Sequence, residues 1–191
     1  TATDIDSLES LQQQHPHSET IRINILNEIA SKVYRTNLNK TLKYASEADS
    51  LSEDLNYSKG KANSLKLLGI YYHRKANYPR ALEYYQKSLK LEEALGNRTR
   101  MAHGYNNIAT LYRAQGDYDK AMEYYRKALE LKEELGDKSG MALSYNNMGI
   151  VYKDQGDYPK ALDYYQKSLK LFEELGNKRR MASNYNNIGI V

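Results

Sequence analysis

The chain has 191 residues, a formal net charge of +4 and no cysteine. The missing cysteine removes disulfides, thiolate metal sites and thiol nucleophiles together. The mild charge, with no basic run longer than Lys178-Arg179-Arg180, speaks against nucleic acid as a partner, and no apolar stretch approaches the roughly 18 residues of a membrane span.

In chain order, residues 1–19 stand apart. Ile5, Leu8 and Leu11 are spaced as a short amphipathic helix that Pro16, between His15 and His17, should end. This segment is expected to cap the array behind it. The chain opens on Thr1 rather than Met, which leaves a removed leader open. Residues 20–57 predict a degraded helix pair. Leu26, Ile29, Ala30, Val33 and Tyr34 mark its first helix, and Leu38 to Ala45 with Leu51 and Leu55 its second. One residue is missing near its turn relative to the later copies, and Thr41 replaces a small alanine.

Three clear copies follow at a forty-residue period, over 58–97, 98–137 and 138–177. Residues 178–191 begin another first helix with no partner for it. A fixed period of this size means a repeat array. In the last full copy Ala142, Tyr145, Met148, Gly149 and Tyr152 form one helical stripe. Gly156 suits a left-handed helix end, and Asp157 with Pro159 suits the next helix start. Ala161, Tyr164, Tyr165, Ser168, Leu169 and Phe172 carry the second stripe, and Gly176 closes it. Gly149 sits mid-helix, where glycine costs about 1 kcal/mol against alanine, so a second helix is expected to come close, with Ala161 facing it. Tyrosines such as Tyr72, Tyr112 and Tyr152 fall at expected core positions. Asp and Glu are expected on solvent-facing positions near lysines.

The pattern Tyr145-x2-Met148-Gly149-x2-Tyr152, then Ala161-x3-Tyr165-x2-Ser168, resembles the tetratricopeptide repeat. The unit departs from the standard one by being longer and lacking the closing proline. It is similar to the longer variant of bacterial signalling proteins, kinesin light chains and cell-polarity adaptors. The resemblance implies an all-α fold, a right-handed α-solenoid of antiparallel helix pairs, with the first helices lining a concave groove.

The outward residues of those first helices are then the candidate peptide site: Lys66, His73 and Arg74; His103, Asn106, Asn107 and Arg113; Asn146, Asn147 and Lys153; Asn186 and Asn187. Asparagine both donates and accepts, which suits a peptide backbone. Arg74, Arg113 and Lys153 would receive acidic side chains or a terminal carboxylate. The family's carboxylate clamp is matched only at Lys66 and Asn107, so chaperone-tail binding is not expected.

No phosphate loop, nucleophile elbow or paired-histidine zinc motif occurs. His15 and His17 alone fall short of the three or four ligands zinc takes. The sequence therefore predicts no enzyme, metal or cofactor, and a scaffold that binds a protein or peptide, with acidic residues favoured in that partner. One alternative is the extracytoplasmic input domain of a larger bacterial signalling protein such as a histidine kinase or nucleotide cyclase. A second is a structural module, assembling end to end or as a homo-oligomer through the open last helix. Cytoplasm and bacterial periplasm both remain open as locations.

Overall fold

The structure, a computed structural model, describes Ile5, Ser7, Leu8, Ser10 and residues 19–191. Among the described residues it is all α-helix: α1 (Glu19–Val33), α2 (Leu38–Asp54), α3 (Ser58–Arg74), α4 (Tyr78–Ala94), α5 (Arg98–Ala114), α6 (Tyr118–Glu134), α7 (Lys138–Asp154), α8 (Tyr158–Glu174) and α9 (Lys178–Ile188). Leu11 and His15-Pro16-His17 lie outside the described residues.

The punctuation is local chemistry. Asn37, Asn77, Asp117, Asp137, Asp157 and Asn177 each accept the backbone N–H three residues on with their side chains, as Asp157 does from Lys160 at 3.1 Å. These bonds satisfy donors that a helix start leaves bare. The ends close on a left-handed residue. Gly156, at φ +79°, donates to Lys153 O at 3.0 Å, and Asp157 N reaches Tyr152 O at 2.9 Å. Two equivalent turns lack glycine there: Asn56 has φ +51° and Ala76 φ +54°. The turn from α1 to α2 holds no left-handed residue at all, and α1 ends at Val33 where its counterparts run one position further.

The chain forms two compact units, Thr1–Asn97 and Arg98–Val191. In the first, α1 to α4 enclose Ile23, Leu26, Ile29, Ala30, Val33, Tyr44, Ala45 and Leu68, with Ile5 and Leu8 packed against them. In the second, Ala109, Ala121, Met122, Tyr125, Met148 and Val151 form the core. Each is a run of short-looped helix pairs, the architecture of an all-α solenoid.

The close approach expected at Gly149 is present. A β-carbon there would lie 2.7 Å from Cδ1 and Cε1 of Tyr165 and 3.2 Å from the Ala161 carbonyl oxygen. The ring of Tyr165, more than Ala161, is what Gly149 admits.

The tyrosines divide differently from the expectation. Tyr44, Tyr85, Tyr125 and Tyr165 are buried, whereas Tyr72, Tyr112 and Tyr152 are only half-buried. The latter stack on Tyr84, Tyr124 and Tyr164 at 5.3, 5.6 and 5.2 Å between centroids. Cations cap each stack on both sides, Lys160 over Tyr152 and Lys167 over Tyr164 in the last copy. Ring faces attract cations, which holds these stacks at the surface.

Not every charge faces solvent. The register shared by Ser52, Glu92, Lys132 and Phe172 is buried in every copy. Lys132, 5% exposed, donates from Nζ to Ser144 Oγ at 2.8 Å. Burial pushes its pKa down, against a smaller upward pull from Asp137. Tyr185 in α9 and Ile190 just beyond its end are exposed. No helix among the described residues is long and apolar enough to cross a membrane.

Candidate functional site

Asparagine is a poor residue for a helix interior, because its amide competes for backbone hydrogen bonds. Two adjacent asparagines in every late first helix therefore call for a compensating contact. In the second unit they have one. Asn147 Nδ2 donates to Asn106 Oδ1 at 3.0 Å, and Asn187 Nδ2 donates to Asn146 Oδ1 at 2.8 Å. Each bond spans one repeat plus one residue, so the asparagines knit α5, α7 and α9 side by side into one face.

Each linked amide uses only part of its capacity. Asn106 and Asn146 accept within the ladder and keep their amino groups; Asn147 and Asn187 donate and keep their carbonyl oxygens. The face thus presents donors and acceptors in a repeating order. Asn106, Asn107, Asn146, Asn147 and Asn187 are half-buried, and His103 and Asn186 are exposed.

The cations of the second unit do not stand free. Arg113 Nη1 donates to Asp154 Oδ2 at 2.9 Å, and Lys153 Nζ is 3.9 Å from Asp154 Oδ1. Two cations share one carboxylate, so the edge keeps a positive excess smaller than the sequence implied. Asp154 follows Lys153 directly and reaches across to Arg113, the same one-repeat-plus-one offset as the asparagines.

Beneath this edge lies a hydroxyl pair the sequence did not point out. Tyr125 OH and Thr110 Oγ1 are 3.0 Å apart. In the next copy Ile150 stands in the place of Thr110, and the buried hydroxyl of Tyr165 has no hydrogen-bond partner among the described residues. Its pKa is pushed up to about 12, chiefly by burial and further by Asp154.

Lys66, His73 and Arg74 belong to the first unit. Lys66 lines a 220 Å³ cleft between α1 and α3 with Asn24, Asn27, Ser31 and Asn63. Asn27 Nδ2 donates to Gly60 O at 3.0 Å. The His73 ring lies 6.0 Å from that of Tyr78, and the Arg74 guanidinium donates to the Tyr34 carbonyl. Arg74 is therefore tied back to its own scaffold. No cluster of three or more metal-ligating side chains occurs among the described residues.

The tetratricopeptide repeat profile matches residues 60–134, 100–174 and 140–191. No curated protein matches the sequence. Among solved structures, BtubC from P. vanneervenii is similar, with a TM-score of 0.79 at 21% identity, covering 99% of this chain and 80% of that one. A STAND signal-transduction ATPase with a tetratricopeptide repeat sensor from Pyrococcus horikoshii gives 0.84 at 22%, over 96% of this chain and 29% of that one. A Rap protein complexed with competence and sporulation factor gives 0.86 at 18%, over 94% and 51%. At such identities the likeness is one of fold. With its helix pairs, its glycine-closed turns and a profile match over most of its length, this chain belongs to the tetratricopeptide repeat family.

Proposed function

We propose that the face built by α5, α7 and α9 binds an extended peptide segment of a partner protein. Membership of the family makes the chain an interaction scaffold; the asparagine ladder is the observation that favours this face and this ligand. An extended backbone offers alternating donors and acceptors, and the residual groups of Asn106, Asn146, Asn147 and Asn187 offer the complements. The excess positive charge at Arg113 and Lys153 favours acidic side chains in the segment. Selection of binders from a displayed peptide library, followed by Asn106→Ala, Asn146→Ala and Arg113→Ala, tests the reading. Each variant is expected to weaken binding by roughly tenfold, about 1.4 kcal/mol. Binders that hold all three variants as well as the parent would refute it.

The alternative of an input domain in a larger signalling protein draws support from the sensor of the STAND relative and the factor bound to the Rap protein. The coding sequence on either side of this segment tests it. A kinase, cyclase or ATPase module there supports it, and repeats alone running to a stop codon oppose it.

A further inference from the structure

The first unit carries a second cavity, on the side of α3 that points away from Asn63, Lys66 and Leu67. It has a volume of 580 Å³ and lies where α2, α3 and α4 meet. Leu65, Tyr84 and Leu91 supply its apolar lining, and Glu53, Lys61 and Lys90 are among its charged lining residues. That size falls within the roughly 300–1,000 Å³ of small-ligand sites.

The repeat itself shows what is missing. In the forty-residue register Leu65 corresponds to Tyr105, Tyr145 and Tyr185. In the second unit Tyr105 and Tyr145 bring their rings 6.1 and 6.2 Å from Tyr124 and Tyr164, the counterparts of Tyr84. The Glu133 carboxylate lies close enough to Tyr145 to act on it electrostatically, and the hydroxyl of Tyr185 lies 3.4 Å from Glu173 Oε1. Glu53 is the counterpart of both glutamates. At Leu65 the ring is absent, while its aromatic wall and its carboxylate remain. Lys61 stands where later copies have methionine, and it pairs with Glu53. A carboxylate has lone pairs enough for a lysine and a phenol together. Lys90 makes no ion pair among the described residues and also lines the cavity.

We propose that this cavity binds a 4-hydroxyphenyl group from outside the chain, its ring against Tyr84 and Leu65 and its hydroxyl donating to Glu53. The occupant replaces in trans the tyrosine that the later copies supply in cis. Its source is either a small phenol or a tyrosine side chain of a partner. The volume beyond one ring accommodates whatever carries it. This site is separate from the asparagine face and stands or falls independently of it.

Ligand-observed NMR titration of the whole chain with p-cresol, toluene and N-acetyltyrosinamide tests the proposal. The parent is expected to bind p-cresol with a Kd on the order of 1 mM, suited to so small a ligand, and toluene more weakly. Leu65→Tyr, which installs the chain's own ring, is expected to weaken p-cresol binding at least about tenfold. Glu53→Gln, a change at an exposed side chain, is expected to reduce the preference for p-cresol over toluene. Tighter binding of N-acetyltyrosinamide than of p-cresol indicates a partner's side chain; the reverse indicates a free phenol. No p-cresol binding by the parent, equal binding by folded Leu65→Tyr, or an unchanged preference in Glu53→Gln would each overturn the assignment.

Discussion

Asn147 donates to Asn106 across one repeat plus one residue, and Asn187 repeats the bond to Asn146. The pair is a structural tie, and on the proposed reading it serves recognition as well. It fixes the orientation of the amides and leaves each with one unoccupied function. An amide held in this way loses less side-chain freedom on binding a ligand than a free one.

Gly149→Leu should destabilise the second unit by about 1–3 kcal/mol or more. The new side chain meets the Tyr165 ring and the Ala161 carbonyl within 2.7–3.2 Å at its first carbon. Urea denaturation measures this, and an unchanged midpoint would contradict the packing described.

Ala76→Gly should stabilise the first unit by about 1 kcal/mol. Alanine at φ +54° carries a left-handed penalty that glycine avoids, and the later copies place glycine at that turn. Thermal denaturation should show a higher Tm, whereas a lower one would mean the turn tolerates alanine without strain.

Ile150→Thr copies the Thr110–Tyr125 contact into the next repeat. It should give the buried Tyr165 hydroxyl a partner and stabilise by about 1 kcal/mol. The same variant should lower the Tyr165 pKa from about 12, because the hydroxyl gains a group able to donate to its ionised form. Ultraviolet titration of the phenol reads this shift.

Lys132→Met should be neutral or stabilising by up to about 1 kcal/mol near neutral pH, since it removes a buried charge. Burial holds the folded-state lysine below its ordinary 10.5. The unfolded chain therefore binds more protons between the two values, and stability rises with pH across that window. The cost of the charge is fully present below the window. The difference in stability between parent and variant should shrink as pH approaches 10.5. A difference independent of pH would mean that Lys132 is not held in the folded state with a lowered pKa.

The helices, their caps and their glycine ends are legible in the sequence because each rests on residues within a few positions of one another. Gly149 is legible too, since a helix carries a mid-helix glycine between tyrosines chiefly where a neighbouring group must come close. Links that depend on how one helix pair sits on the next are not. Nothing local says that Asn147 meets Asn106 or that Asp154 meets Arg113, although the recurring Asn-Asn pair is a signal of some such tie. The burial of Lys132 is hidden because a lysine among glutamates reads as a solvent-facing helix residue. Only its register with Phe172, read across copies, betrays it. Tyr112 and Tyr152 look like core residues because stripe position alone does not distinguish a buried ring from one covered by a lysine.

On the proposed reading the asparagine face of α5, α7 and α9 receives an extended peptide. The most direct measurement is the perturbation of assigned side-chain amide signals of Asn106, Asn146, Asn147 and Asn187 by a peptide selected for binding. Shifts are expected to concentrate on these amides and on Arg113, with Asn106→Ala and Asn146→Ala weakening the peptide by about tenfold while the fold is retained. Saturable binding that leaves these amides unshifted would contradict the claim.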